Sequence, residues 1–343
     1  MMQPAIEQIR QGRMKRRRRY VGMTLLLTII AVVLSGLMLM LGNTIYPIQD
    51  VIRVLLGEDV KGATFAVEVL RLPRMLAGVF AGAAFGAAGT IFQTMLRNPL
   101  ANPNVIGITT GSSAAAVFCI VVLQSSEAVI SIASIIGGLV TVLVIYFLSK
   151  GAAFSIGRLV LVGIGIQAML TAVINYLLLI SRQNDVAMAM RWLTGSLNGA
   201  KLEELPALMI TVLICLPIVL LLTRQLEMLE LGEMAATGLG INTNQTRLLL
   251  IVAAVFMLAL ATATTGPIAF IAFLAGPIAK RLVGTSQAGI LPAALVGIIL
   301  VLAADLVGQF AFTARYPVGV ITGIIGAPYL LYLLIRMNQK GDF

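Results

Sequence analysis

Arg97-Asn98-Pro99-Leu100-Ala101-Asn102-Pro103 is a polar turn set between two apolar stretches. Upstream, Met75 to Phe92 is rich in glycine and long enough to enter a bilayer. Downstream, the chain is apolar again from Val105. Each proline removes a backbone donor and biases the residue before it away from the helical region. Two prolines and two asparagines so close together cannot carry a helix through. The chain therefore leaves an apolar phase, makes a fixed turn and goes back in.

The same alternation runs along the whole chain. It is 59% hydrophobic and 11% charged, with a mean hydropathy of +1.01 over 343 residues, which excludes a soluble domain. Apolar runs of about 18 or more residues read as transmembrane helices. They fall at roughly 20–42, 74–96, 105–123, 128–149, 158–180, 203–222, 246–265, 267–282, 288–311 and 317–336. The reading is an all-α polytopic bundle of ten transmembrane helices. It has a basic N-terminal segment (1–19), one transmembrane domain (20–336) and a short tail (337–343). The eighth stretch begins at Gly266-Pro267 and predicts a short or broken helix. An even count places both termini on one side.

The run Lys15-Arg16-Arg17-Arg18-Arg19 lies directly before the first span, and Lys and Arg near span ends are retained in the cytoplasm. With the N-terminus inside, the outer segments hold Arg53, Lys61, Arg71, Arg74, Arg182, Arg191, Lys201 and Arg315, and the rest of the 24 basic residues lie inside. Both termini are therefore expected to be cytoplasmic. Against a long apolar helix the basic run reads as an orientation signal in contact with anionic lipid, not as a nucleic-acid site. The first span is too long for a cleaved signal and lacks a small-residue cleavage site, so an uncleaved anchor is expected. Cys119 and Cys215 fall inside spans and read as small hydrophobes, not a disulfide. The chain has no histidine, the commonest metal ligand and general base, so neither a metal site, a cofactor nor an intramembrane enzyme is expected.

Between the first two spans, Ile48, Val51, Ile52, Leu55 and Leu56 share one face of a short helix that ends at Gly57-Glu58-Asp59. Gly78, Gly82 and Gly86, then Gly89, form a small-residue face for close helix packing, as do Gly319 and Gly323. Away from the span ends, Asp305 is the one acid within a span. No basic partner is evident for it inside the bilayer, and it reads as hydrated near the outer end or as capping backbone rather than as a proton-coupling group. From Thr223 to Arg247 the spacing predicts two short helices broken at glycine, around Leu231-Gly232-Glu233 and Leu239-Gly240. The density of small and apolar residues suits a knob that docks into a partner's groove. No G-x-x-x-x-G-K-[ST] sequence occurs, so ATP, if it is used, binds another chain.

Several motifs now stand in order along the chain. They are Arg71-Leu72-Pro73-Arg74, Gln93 with Arg97-Asn98-Pro99-Leu100-Ala101, Gly107 with Gly111, and Trp192 with Gly195-Ser196. Leu231-Gly232-Glu233 with Leu239-Gly240, Gly266-Pro267-Ile268, and Pro317-Val318-Gly319 with Gly326-Ala327-Pro328 complete the set. From about residue 45 to 336 the chain resembles the membrane permease subunits of ABC importers for iron–siderophore complexes, haem and vitamin B12.

The resemblance implies the ten-helix type II importer permease fold. It also implies pairing with a second, identical or homologous permease around a translocation path, two copies of an ATPase subunit, and an extracytoplasmic substrate-binding protein. It makes Leu231, Gly232, Glu233, Ala235, Leu239 and Gly240, within 224–246, the coupling helices that sit in a cleft of the ATPase. It makes Arg71 and Arg74 docking arginines for glutamates of the binding protein. Many relatives have Arg where this chain has Gln309, and Glu where it has Arg315, so Arg315 is expected to replace the missing docking arginine. Relatives commonly show Pro-His or Pro-Gln where this chain has Gly276-Pro277, which predicts a different bend. The inner gate would be lined by Asn98 and Leu100 from one turn and by Ile156 and Gly157 from another. The cargo implied is a ferric siderophore, with haem or cobalamin as the alternative. An ion-coupled secondary transporter is the reading from another class.

Overall fold

The computed structural model describes residues 2–150, 156–284 and 289–340, and among these every regular element is helical. The α-helices are α1 (Met2–Met40), α2 (Ile48–Leu55), α3 (Leu72–Met95), α4 (Ile108–Val121), α5 (Glu127–Ser149), α6 (Ile156–Ile180) and α7 (Gln183–Thr194). They continue as α8 (Pro206–Leu221), α9 (Thr223–Glu230), α10 (Glu233–Gly238), α11 (Thr243–Thr265), α12 (Ile271–Val283), α13 (Ile290–Phe310) and α14 (Val318–Lys340).

Among the described residues, seven helices are long and apolar enough to cross a membrane, or eight when α8 and α9, bent by 56°, are taken as one span. Each of the ten stretches expected from hydropathy holds a helix. Three are short: α4 has 14 residues, α12 has 13 and α8 has 16, against the ~20 that a full crossing uses. The short, glycine-started eighth stretch is thus present as expected. Helix α1 runs without a break from the basic N-terminal segment into the first apolar stretch.

Helix α3 is the axis of the bundle, packed on α13, α11 and α12. Its small residues make this possible. A Cβ on Gly82 would lie 2.7 Å from the Gly297 carbonyl oxygen, and one on Gly86 would lie 2.3 Å from that of Ala293. One on Gly89 would lie 1.8 Å from the Ala272 oxygen. In lipid, where no hydrophobic force drives helices together, such backbone approach supplies the packing. Gly319 behaves likewise against Thr194, but Gly323 meets nothing within 4 Å among the described residues, so within this chain Gly319 alone of the pair packs closely.

Two prolines shape the axis and its neighbour. Pro73 cannot donate back along the helix, and the chain before it, Phe65–Arg71, is wound as a π-helix. Pro277, inside α12, leaves the Phe273 carbonyl without its helical donor. The buried Gln93 side chain of α3 supplies one, its Nε2 donating to that oxygen at 2.9 Å. The missing Cβ of Gly276 makes room, since one there would sit 2.2 Å from Gln93 Oε1. The unusual Gly276-Pro277 pair is therefore repaired from the neighbouring helix.

Candidate functional site

The site residues fall at opposite ends of the bundle. At one end, Arg71, Arg74, Arg315, Gln309 and Asn198 line a single cavity of about 340 Å³. The three arginines expected to dock a partner are thus brought together, and all three already make hydrogen bonds within the chain. Arg71 caps the end of α1, donating to the carbonyls of Leu39 (2.9 Å), Met40 (2.8 Å) and Thr44 (2.7 Å), with its guanidinium 4.9 Å from the Tyr46 ring centre. Cations at a helix C-terminus meet the negative end of its dipole.

Arg74 makes a bidentate pair with Asp305, Nε to Oδ2 and Nη2 to Oδ1, both at 2.7 Å. It also donates to Asn198 Oδ1. Gln309 Nε2 donates to Asp305 Oδ2 at 2.6 Å. This corrects the expectation that Asp305 has no basic partner. The acid is fully buried and its charge is met by an arginine 231 positions away, one turn into α3. Buried charges persist only when paired and hydrogen-bonded, and this one is. Arg315 is the exposed arginine of the three, bonded to Asn43 Oδ1.

Three separated motifs meet beside this cavity. Ser196 N donates to Thr265 O at 2.7 Å, and Gly319 N to Gly195 O at 3.2 Å. A Cβ on Gly266 would lie 2.4 Å from Trp192 O. The Trp192–Ser196, Gly266-Pro267 and Pro317–Gly319 segments therefore form one backbone junction. Nearby, the Lys201 ammonium, hydrogen-bonded to Glu127 at 2.5 Å and close to Glu204, is raised above the ordinary lysine range, mainly by the Glu127 bond.

At the other end, α9 and α10 form an elbow around Gly232. Gly232 has φ +118° and ψ 155°, a region essentially closed to other residues. Helix α10 stops in a Schellman motif: Ile241 N donates to Ala236 O (3.1 Å) and Gly240 N to Thr237 O (2.9 Å), with Gly240 at φ +82°. The two glycines of the sequence motif are thus the bend and the stop. Buried Leu226, Leu229 and Ala236 hold the elbow to the bundle, while Leu231, Met234 and Leu239 stand out at 68%, 92% and 61% exposure. Glu233 and Ala235 are also exposed.

Three basic side chains fasten this elbow. Arg247 of α11 donates through Nη1 and Nη2 to Glu233 Oε2, both at 3.2 Å. Lys280 of α12 pairs with Glu230 at 3.5 Å. Arg97, following α3, donates to Leu229 O at 3.2 Å. At the same end Arg19, from the basic run, donates to the Arg281 and Leu282 carbonyls at 3.1 Å and caps α12. Sequence reasoning did not single out Arg247, Lys280 or Arg19; their position at span ends was the available signal.

Of the residues expected to line the inner gate, Asn98 and Leu100 form one Asx turn at this end, with Leu100 N donating to Asn98 Oδ1 at 2.8 Å. The following turn, Pro103–Ile106, packs against α6. Ile156 and Gly157 open α6, with Gly157 exposed; the Ile156 side chain lies outside the described residues.

Comparison with known proteins agrees with this geometry. Residues 27–336 match the FecCD transport family. The chain is 38% identical to the ferric enterobactin transport system permease protein FepG of Escherichia coli, over 92% of this chain and 97% of that protein. It is 37% identical to the Fe(3+)-citrate import system permease protein YfmE of Bacillus subtilis, over 90% and 93%. It is also 37% identical to the achromobactin transport system permease protein CbrC of Dickeya dadantii, over 96% of each. Its fold superposes with a TM-score of 0.82 on a solved metal-chelate type ABC transporter in an inward-facing conformation, at 25% identity, covering 92% of this chain and all of that one. With its apolar spans, its glycine-packed axis and its full-length relatives, this multi-pass protein of the cytoplasmic membrane belongs to the FecCD transport family.

Proposed function

We propose that this chain is the permease subunit of a binding-protein-dependent ABC importer that carries a ferric siderophore into the cytoplasm on ATP hydrolysed by a separate subunit. In this reading the permease does no catalysis. Two copies of an ATPase engage the elbow end, a second permease completes the path, and an extracytoplasmic binding protein delivers the iron chelate as substrate. In this reading the basic run, which shares the elbow's end through Arg19, faces anionic lipid on the cytoplasmic side, and that supports a cytoplasmic elbow and cytoplasmic termini.

The observation that carries the proposal is the elbow. It is rigid, with a glycine bend, a Schellman stop and two ion pairs, and it presents three bare apolar side chains. A stiff knob of this kind passes on a rigid-body movement, which a loose linker cannot do. The ferric cargo is supported by the relatives, whose names specify ferric enterobactin, ferric citrate and achromobactin transport. Docking of the binding protein falls chiefly to Arg315, which is exposed and bonded to the neutral Asn43 side chain, whereas Arg71 is held by three internal carbonyls and Arg74 by the Asp305 carboxylate. An ion-coupled mechanism is disfavoured by the same pair, because Asp305 is already neutralised by Arg74 and accepts from Gln309 as well. Uptake of radioiron as ferric enterobactin or ferric citrate, with and without the ATPase in the same membrane, tests the proposal; uptake that persists without the ATPase would overturn it.

A further inference from the structure

Helix α3 ends in a Schellman motif, with Asn98 N donating to Gln93 O (3.0 Å) and Arg97 N to Thr94 O (3.1 Å). The residue after the cap must then be left-handed, and here it is Arg97 at φ +49°. Glycine is the residue suited to that position, and the same motif at the end of α10 uses Gly240. An arginine there costs conformational energy that a glycine would not. Its side chain must supply something that a glycine lacks.

That side chain crosses to the elbow. Arg97 Nη2 donates to Leu229 O, in the last turn of α9, where the helix presents its negative end. The same carbonyl accepts from Gly232 N at 3.3 Å, and a Cβ on Gly232 would lie 3.6 Å from Arg97 Nη2. The guanidinium thus sits at the bend itself. On the other side, Arg97 is followed directly by Asn98 and the Asx turn that fixes Leu100. The elbow's two ion pairs lead elsewhere, Glu233 to α11 and Glu230 to α12.

We propose that Arg97 is the positioning residue that carries the elbow's displacement to the Asn98–Leu100 turn, so that movement at the ATPase face opens or closes the cytoplasmic gate. The inference rests on the elbow and gate assignments made above and adds the link between them. It requires the Arg97 contact to move elbow and turn as one body, while the α11 and α12 pairs only hold the elbow in place.

The test is Arg97→Gly in the full importer, with ATPase and binding protein, in liposomes loaded with ATP and offered radioiron as ferric enterobactin or ferric citrate. Glycine suits the left-handed position, so the substitution keeps the fold and removes only the link. The ATPase rate should stay near that of the wild type, while iron accumulated per ATP falls about tenfold. Arg97→Lys, which keeps a donor, should recover part of the ratio. An unchanged ratio in Arg97→Gly overturns the proposal. So does a parallel fall in ATPase rate and uptake, which would make Arg97 merely a brace for the elbow. If the wild type itself shows no ATP-dependent accumulation, it is the underlying functional reading that fails.

Discussion

Arg74 and Asp305, 231 residues apart in the chain, face each other as a fork and a carboxylate, with both N–O distances at 2.7 Å. The acid is wholly buried and the arginine side chain is 16% exposed. The pair ties α3 to α13 at the end where Asn198 and Gln309 also converge. Breaking one side of it strands a charge. Arg74→Met or Asp305→Leu alone should each cost about 3–5 kcal/mol, whereas the two together should cost much less than the sum. Thermal unfolding in detergent of the two single variants and the double variant checks this, and simple additivity would contradict it.

Close backbone approach at Gly89 predicts a second cost. A Cβ there collides with the Ala272 carbonyl, so Gly89→Ala should force α3 and α12 apart and lower stability by about 1–3 kcal/mol. Gly323→Ala meets open space and should leave the melting temperature unchanged. Equal effects would refute the assignment of the two faces.

Gln93 and Pro277 should be coupled. Gln93→Leu leaves the Phe273 carbonyl without a donor and should cost about 1–3 kcal/mol. Pro277→Ala restores the helical N–H, so the same Gln93 change should then cost less. A double-mutant cycle with no interaction energy would show that the side chain does not repair the proline.

The exposed apolar side chains of the elbow should matter to assembly rather than to folding. Leu231→Glu with Met234→Glu should leave the melting temperature alone, because both are exposed, and weaken retention of the ATPase by about tenfold or more. Undiminished co-purification of the ATPase would remove these residues from the contact.

Arg315 should carry the binding-protein contact. Arg315→Glu reverses an exposed charge and should slow association at low salt, with a smaller effect at high salt. Affinity unchanged at low salt would assign docking elsewhere.

Much of this architecture was legible before any coordinates. Hydropathy located a helix in each of the ten stretches, because a 20-residue apolar run in lipid has only helical ways to satisfy its backbone. Gly232 and Gly240 were legible as helix breaks, since few other residues tolerate their φ values. Asp305 was misread because its partner is distant in sequence and Arg74 sits in a motif that suggested a surface role. Gln93 appeared only as part of a motif, since a helical carbonyl orphaned 180 residues away leaves no local trace. That Gly323 meets no neighbour among the described residues of this chain was not legible, because four-residue spacing names a face but not what lies against it.

One measurement addresses the central claim most directly: reconstitute the permease alone in liposomes, then with its ATPase, binding protein and ATP, and follow radioiron presented as ferric enterobactin or ferric citrate. The account predicts accumulation against a gradient with the complete set and none with the permease alone. Concentrative uptake by the isolated permease would contradict it.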